Sequence, residues 1–292
     1  MKKFDYTFKA LWTICIISII QENDDWLNKI VNSCYDMIIN FENEFSRFKN
    51  DSILSKLNIE KKLEVSDDFL NLIIKSREIY SLSKGYFNPL IDVRKIWYSH
   101  SFDENKFEIL DIKENLDFKN VKNYWNLLEI DENMTIDFWS IAKWFLADKV
   151  GNYLKSKWFT NFLVNLWWDI VVSWVNAYNK PWSVWISNPD DIQDIIHSVN
   201  LTNKSISTSW IYLRNWQIND KTYHHIRNPF SNEQSTKLKS VSIVDYYWYK
   251  TDALATAIIA MWYDLALDFC KTNKISFIFV LEDLSIIKSD DL

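Results

Sequence analysis

The chain has 292 residues, which is enough for one large domain or about two domains of ordinary size. Its 48% hydrophobic and 25% charged residues are typical of a globular protein and exclude disordered and collagen-like chains. The net charge of −6 argues against nucleic acid or an anionic membrane as a partner. No apolar run is long enough to cross a bilayer, so no transmembrane segment is predicted.

The glycine and tryptophan contents are abnormal. Glycine occurs only 2 times and tryptophan 16 times, whereas ordinary glycine usage of about 7% predicts roughly 20 glycines. Trp167 and Trp168 separate two strand-like segments, where a turn that needs positive φ is expected. One hypothesis is that many of these tryptophans are glycines encoded by UGA, a codon that some bacterial lineages read as glycine. The alternative is a truly tryptophan-rich protein.

The cysteines and the N-terminal segment carry no processing or metal-binding signal. Cys15, Cys34 and Cys270 are widely spaced and form no CxxC motif, which predicts buried thiols. Met1-Lys-Lys3 is similar to the start of a signal peptide, but no small-residue cleavage site or lipobox follows. The expected location therefore stays open between the cytoplasm and the periphery of the cytoplasmic membrane.

The predicted elements, in chain order, combine helices and strands without a regular βαβ rhythm. They are a strand over 10–20, a helix over 24–45, a helix that Ser66 caps and Gly85 ends as the C′ residue, short strands and loops over 100–136, a helix from 137–140 to 157, strands at 161–166, 170–174, 182–187 and 205–209, a polar loop over 213–240, a strand near 241–245, a helix over 252–272, and strands at 275–281 and 285–288.

The second of these helices is expected to turn Phe69, Leu70, Ile73 and Ile74 inward. The mixture of elements predicts an α+β fold. With no Pro- or Ser-rich linker, residues 1–292 are expected to form one domain, with two intertwined lobes as the alternative arrangement.

Two pairs of polar residues on predicted helices could bind a metal or an anion. Asp252 and Thr256 lie at i and i+4 on one helix face and offer the hard oxygens that Mg²⁺ prefers. The alternative is a helix cap followed by a back-bonded threonine. Ser140 and Lys143 lie near a helix N-terminus, where anions bind. The alternative there is a capping serine and a solvated lysine.

His224 and His225 lie next to each other in the predicted polar loop. A histidine in such a loop can act as a general base. The alternative is a pair of ordinary surface residues, and the sequence pattern does not choose between them.

Several short motifs follow one another along the chain in an order typical of one family. They are Leu11-Trp-Thr13, Ser46-Arg-Phe48 with Leu57-Asn58, Gly85-Tyr-Phe-Asn-Pro89, Asp137-Phe-Trp-Ser-Ile-Ala-Lys143, Asn165-Leu-Trp-Trp-Asp169, Thr208-Ser-Trp210, His225-Ile226 with Asn228-Pro229, and Asp252-Ala-Leu-Ala-Thr256. From about residue 8 onward the chain resembles the ApbE family, the FAD:protein FMN transferases. Asn88 departs from the family pattern, since it stands where the family has aspartate.

Tryptophan stands where this family has glycine at ten positions. They are Trp12, Trp139, Trp144, Trp158, Trp167, Trp168, Trp174, Trp185, Trp210 and Trp262. Trp97, Trp182 and Trp216 are expected to be genuine tryptophans, whereas Trp26, Trp125 and Trp248 stay unassigned. Random mutation would not convert glycine alone into tryptophan alone, so the resemblance favours the decoding hypothesis.

The resemblance implies an ApbE-like, T-fold-like α+β domain with mixed sheets and flanking helices. It implies transfer of FMN from FAD to a Thr or Ser hydroxyl of an acceptor flavoprotein, with release of AMP. FAD is then a substrate and Mg²⁺ a cofactor. The alternatives are an FAD pyrophosphatase that gives FMN and AMP, a non-catalytic FAD-storage protein, or an inactive product if every tryptophan is real.

The resemblance also implies roles for particular residues. Ser140, Asp252 and Thr256 would hold Mg²⁺, Lys143 would contact the phosphates or the ribose, and Asp137 would fix FAD. His225 would accept the hydroxyl proton, which makes His225 and Asp252 the catalytic candidates. The flavin and adenine pocket would be lined by Leu11, Phe48, Tyr86, Phe87 and Asn88.

Overall fold

The structure is a computed structural model that describes residues 1–11, 13–90, 116–213, 215–218, 221–231, 233–247 and 250–292. The predictions for Trp12, Trp97, Trp248 and residues 100–115 fall outside these ranges.

Helices and strands are interspersed along the described chain. The α-helices are α1 (Leu27–Phe45), α2 (Ile53–Glu60), α3 (Asp67–Leu82), α4 (Ala142–Ser156), α5 (Thr251–Ile259) and α6 (Tyr263–Thr272). The strands are β1 (Lys2–Ala10), β2 (Thr13–Gln21), β3 (Lys62–Glu64), β4 (Lys122–Tyr124), β5 (Leu127–Glu129), β6 (Phe162–Leu166), β7 (Asp169–Ser173), β8 (Trp182–Ser187), β9 (Ile195–Leu201), β10 (Ser205–Trp210), β11 (Asn215–Ile218), β12 (Lys221–His224), β13 (Leu238–Asp245), β14 (Ser276–Leu281) and β15 (Ile286–Lys288). This composition confirms the predicted α+β class.

An eight-stranded sheet forms the centre of the molecule, in the order β1-β2-β6-β7-β10-β13-β14-β15. Its neighbouring strands pair antiparallel, from β1 with β2 at one edge to β14 with β15 at the other. Alternate residues of a strand face opposite sides of a sheet, and both sides are buried here. On one side Ile17 of β2 joins the larger core with α1 and α4, while Ile20 joins a second core with the β8–β9 hairpin.

Two helices, α4 and α5, place their polar N-terminal ends over the middle of this sheet. Helix α4 packs against β6 and β7, and α5 packs against β10 and β13. The first turns of both helices lie near the central strands, since Lys143 of α4 bonds to Asp169 of β7 (2.6 Å) and lies 3.5 Å from Asp252 of α5.

Several predicted elements are confirmed and others are wrong. Ser66 caps α3 by accepting a hydrogen bond from the Phe69 N–H (3.1 Å). Ile74, predicted to face inward, is 46% exposed, and Leu72 is buried instead. Gly85 is not the C′ residue: Lys84 takes the left-handed C′ conformation (φ 52°) and Gly85 follows it. The cysteines are buried free thiols, as predicted.

Other differences concern elements that the sequence pattern merged or missed. The predicted helix over 252–272 is broken at residues 260–262 into α5 and α6. Strand β1 was missed although its residues alternate between exposed and half-buried. Helix α2 and strand β9 were also missed, and the predicted polar loop over 213–240 contains the β11–β12 hairpin. None of the described helices is long and apolar enough to span a bilayer.

Candidate active site

The predicted site residues line two adjoining cavities. The larger one has about 900 Å³ of empty space with its open mouth included, and the smaller about 570 Å³. The larger cavity is lined by the predicted residues Tyr86, Phe87, Asn88, Asp137, Ser140, Lys143, His225, Asp252 and Thr256. Leu11 and Phe48 line the smaller cavity, which shares Asp137, Trp139 and Lys143 with the larger one. The fold thus brings every predicted site residue to one region.

A buried ion pair holds the wall between the two cavities. The Arg47 guanidinium bonds to the Asp137 carboxylate, and both residues are more than nine-tenths buried. The second Asp137 oxygen accepts a hydrogen bond from the Trp139 N–H (2.9 Å). Arg47 also lies over the Phe48 and Trp139 rings, at 4.9 and 4.8 Å. Asp137 is therefore fixed in position and charge-neutralised from the side of the smaller cavity.

Lys143 occupies the position between two buried carboxylates. Its ammonium lies 2.6 Å from Asp169 and 3.5 Å from Asp252, so the alternative of a solvated lysine is wrong. The predicted helix start at 137–140 is also wrong, because α4 begins at Ala142 after Ile141 as N-cap. Ser140 therefore precedes the helix and is not its capping serine.

Asp252 is a carboxylate without enough positive charge around it. It is 5% exposed, and among the described residues its Oδ2 meets only the Lys143 ammonium, at 3.5 Å, and accepts no shorter hydrogen bond. Burial and the nearby Asp169 raise the pKa of Asp252 to about 7, against the lowering effect of Lys143. Burial likewise raises the pKa of Asp169. Two carboxylates thus share one lysine, and the positive charge that they lack could be supplied by a further cation.

The donor set at this point fits a hard divalent ion. Thr256 lies one turn after Asp252 on α5, its hydroxyl 3.0 Å from that of Ser209, and Ser140 lines the same cavity. Among the described residues there is no group of three or more His, Cys, Asp or Glu side chains that could hold a metal. A cation here would rely on one or two carboxylates, hydroxyls, waters and substrate oxygens, which is the coordination typical of Mg²⁺.

The two histidines have different environments. His224 is 2% exposed, its Nε2 lies 3.2 Å from the Ser235 carbonyl, and its Nδ1 accepts from the Ile226 N–H (3.3 Å). Burial lowers the pKa of His224 to about 4. His225 is half-buried and lines the larger cavity. The alternative of two surface histidines is wrong, since His224 is buried and hydrogen-bonded within the loop and His225 lines the cavity.

Asn88 is used within the fold. Its amide nitrogen donates to the Leu116 carbonyl (2.8 Å), and its oxygen accepts from the Leu90 N–H (3.0 Å). These bonds tie the segment after α3 to residue 116 and hold Tyr86 and Phe87 at the cavity wall.

Indole rings occupy the space between Lys143 and His225. The Lys143 ammonium is 5.5 Å from the centre of the Trp167 ring, which is 6.3 Å from that of Trp210, and the Trp210 ring is 5.7 Å from His225. Trp139 contacts Trp167 edge-on at 5.6 Å. The cation, the carboxylates and the histidine therefore face one another across aromatic side chains rather than across an open cleft.

Comparison with known proteins identifies the family. The sequence model of the ApbE family matches residues 10–279, so the chain belongs to the ApbE family. It is similar to the FAD:protein FMN transferase of Chlamydia muridarum, with 24% identity over 245 residues that cover 79% of this chain and 74% of the relative. The corresponding enzyme of Vibrio cholerae is 23% identical over 265 residues, 85% of this chain and 76% of the relative. These relatives are enzymes by name, and the family is an enzyme family.

Solved structures of the family have the same fold. The ApbE protein of Thermotoga maritima is similar with a TM-score of 0.87 at 22% identity, covering 99% of this chain and 98% of that one. The apo flavinyl transferase ApbE of Pseudomonas stutzeri gives a TM-score of 0.86 at 17% identity, with 99% and 94% covered. The predicted ApbE-like fold is confirmed.

Sequence reasoning missed two charged residues of the site, Arg47 and Asp169. Both lie inside motifs on which the resemblance rests, Ser46-Arg-Phe48 and Asn165-Leu-Trp-Trp-Asp169. For Asp169 the available signal was a charged residue within an otherwise apolar segment, whereas Arg47 lies in a polar segment and gave no such signal. The role of each depends on a partner 90 or 26 residues away.

Proposed function

We propose that the chain is an FAD:protein FMN transferase that moves FMN from FAD to a Thr or Ser hydroxyl of an acceptor flavoprotein, in a Mg²⁺-dependent reaction that releases AMP. The observation that carries the proposal is that Lys143, Asp252 and His225 line one cavity, with Asp169 behind them holding the Lys143 ammonium. The names of the relatives supply the substrate.

In the proposed reaction the acceptor hydroxyl oxygen forms a bond to the phosphorus on the flavin side of the pyrophosphate. The bond from that phosphorus to the bridging oxygen breaks, and AMP leaves with the bridging oxygen. His225 accepts the hydroxyl proton, because it is the imidazole that lines the larger cavity. Phosphoryl transfer gains most of its rate from positioning and charge stabilisation, so the remaining residues act by holding charge in place.

The other side chains bind and orient FAD. Lys143, held by Asp169, presents its ammonium to the pyrophosphate or the adjoining ribose. Asp137, fixed by Arg47, lies where both cavities meet and so can contact FAD between its two halves. Leu11 and Phe48 line the smaller cavity, and Tyr86, Phe87 and Asn88 line the larger one.

Asp252, Thr256 and an oxygen of Ser140 are the residues that would hold Mg²⁺. The buried Asp252 Oδ2, whose contact with the Lys143 ammonium is a long 3.5 Å, supports this assignment. When bound, the ion supplies positive charge that offsets the charge building on the leaving phosphate.

The tryptophans of the cleft are part of the proposal. Trp139, Trp167 and Trp210 fill the space between Lys143 and His225, where the pyrophosphate would have to lie. With glycine at these positions and at residue 168, the backbone N–H groups could approach phosphate oxygens. The active form of the protein is therefore expected to carry glycine there.

The test compares two purified forms, the chain as printed and a form with glycine at 139, 167, 168 and 210. Each is incubated with FAD, Mg²⁺ and an acceptor domain for covalent FMN, and the acceptor mass and the released AMP are both measured. FMN on the acceptor and an equal amount of AMP, from the glycine form only, are the expected results. In the glycine form, Asp252→Asn should abolish both FMN transfer and AMP release. Asp268→Asn, which changes an exposed aspartate on α6, should leave both unchanged.

Each other outcome contradicts a stated part of the proposal. AMP without a change in acceptor mass would indicate an FAD pyrophosphatase. Bound FAD without turnover would indicate a storage protein. Full activity of the chain as printed would refute the requirement for glycine in the cleft.

A further inference from the structure

Tryptophan is the most frequent non-glycine residue in the left-handed region of the described backbone. Thirteen described non-glycine residues have positive φ between 49° and 71°, and six of them are tryptophan. These six are Trp26, Trp125, Trp158, Trp167, Trp168 and Trp174. The chain also contains 18 Phe and 14 Tyr, yet no described Phe or Tyr has a positive φ. The preference therefore does not belong to large aromatic side chains in general.

A left-handed conformation is unfavourable for a bulky L-residue because Cβ approaches the neighbouring carbonyl oxygen. Burial of the indole could offset this strain, but most of these indoles are in water. Trp26, Trp125 and Trp158 are 76%, 93% and 89% exposed, and Trp174 is 56% exposed. These four exposed indoles therefore gain little burial that could offset the strain.

Trp167 and Trp168 form a turn that is specific for glycine and asparagine. They are the two residues between β6 and β7, whose last paired residues are Asn165 and Ile170. Their φ values are 58° and 71°. A two-residue hairpin loop with positive φ at both positions is a type I′ turn, for which Asn-Gly and Gly-Gly are preferred.

Trp125 lies in a second hairpin of this kind. It is the first of two loop residues between β4 and β5, with Tyr124 paired to Leu127, and its φ is 57°. Asn126, the second loop residue, does not have a positive φ. A positive φ at the first position alone is the type II′ pattern, in which glycine takes that position.

Trp158 ends helix α4 at the position that glycine normally takes. It is the residue after the C-cap Lys157, and its N–H donates to the Lys155 carbonyl (2.9 Å). The next N–H, of Phe159, donates to the Leu154 carbonyl (3.1 Å). These two bonds define a Schellman motif, whose C′ residue is left-handed and usually glycine.

Two further positions fit the same pattern. Trp26 is the N-cap of α1 with φ 70°, and its side chain makes no capping hydrogen bond. Trp174, directly after β7, has φ 49° and donates its backbone N–H to Asn203 (2.8 Å). By contrast Trp182 is 5% exposed, lies within β8, and donates its indole N–H to the Ser173 carbonyl (3.2 Å).

We infer that residues 26, 125, 158, 167, 168 and 174 are glycines in the natural protein, encoded by UGA, and that Trp182 is a genuine tryptophan. The inference rests on backbone conformation and not on the proposed function. Residues 26 and 125 lie outside every motif of the ApbE resemblance, so the family pattern did not assign them.

The test is a tryptic peptide map, by fragmentation mass spectrometry, of the protein purified from its source cells, together with the gene's codons. The peptide of residues 158–204 is decisive, because Pro181 protects Lys180 from cleavage and one fragment then carries positions 158, 167, 168, 174 and 182. We expect glycine at the first four and tryptophan at 182, with UGA and UGG codons respectively. The peptide of residues 123–143 reports on position 125 and that of residues 10–29 on position 26 in the same way.

Tryptophan masses at the left-handed positions, or UGG codons there, would overturn the inference. Glycine at position 182 as well would refute the assignment of Trp182 as a genuine tryptophan, which rests on its burial and its indole hydrogen bond. The readout is a mass, so it stands apart from the activity assay. A protein with these glycines that transfers no FMN would contradict only the proposed function.

Discussion

The exchange of Trp158 for glycine in the chain as printed should raise its stability, although the same exchange is usually destabilising. The side chain is 89% exposed and so contributes little burial. Relief of the left-handed conformation at φ 66° is worth about 1–2 kcal/mol. The added freedom of glycine in the unfolded chain costs about 0.4–1 kcal/mol. The net gain is then about 1 kcal/mol, and both hydrogen bonds of the helix end are kept.

The assay is the melting temperature of purified Trp158→Gly against its parent, by calorimetry or circular dichroism in one buffer. A gain of about 1 kcal/mol raises the midpoint by roughly 1.5–2 °C in a chain of this size. Tyr124→Gly is the control, because Tyr124 is also an exposed aromatic residue (57%) but lies within β4 without a positive φ. Glycine in a strand should lower stability by about 1 kcal/mol. A lower midpoint for Trp158→Gly, or an equal rise in the control, would refute the reasoning.

Three other predictions concern the buried charges. Arg47→Met leaves the Asp137 carboxylate buried and unpaired, so urea unfolding at pH 7 should show a loss of about 3–5 kcal/mol; adding Asp137→Asn should recover much of it, and an unchanged double variant would contradict the pairing. The pKa of His224 is lowered to about 4, so the fold favours its neutral form. The protein should keep its full free energy of unfolding above pH about 6.5 and lose up to about 3 kcal/mol of it as the pH falls toward 4. The urea midpoint of the His224→Gln variant should not fall in this way between pH 8 and pH 4. Parallel curves of midpoint against pH for the parent and the variant would contradict the assignment of this loss to His224. The pKa of Asp252 is raised to about 7, so its effect on stability has the opposite pH dependence. Its stabilising contribution is fully present below pH about 4 and is lost as the pH rises through 7. Mg²⁺ added at pH 8 should restore the parent's melting temperature but not that of Asp252→Asn, and equal shifts in both would argue against Asp252 as a ligand.

Much of the fold and site was readable from local sequence. Ser66 before an apolar helical pattern correctly marked the start of α3, because a cap and a helix face are properties of consecutive residues. The turn at Trp167-Trp168 was predicted from the two apolar segments that flank it. The motifs also pointed to one site, since residues from Tyr86 to Thr256 line the same cavity. The deficit of glycine was visible in composition alone.

Only the tertiary structure decided which charges meet and which tryptophans are strained. The pairs Arg47–Asp137 and Lys143–Asp169 join residues 90 and 26 positions apart. The first contact depends on how α1 packs beside α4, and the second on how α4 packs over β6 and β7. The break between α5 and α6 was hidden because its apolar residues continue the helical pattern. Trp125 and Trp182 are the same residue type in the sequence. Their backbone φ and burial separate them, because the paired strands fix the path of the chain at each position.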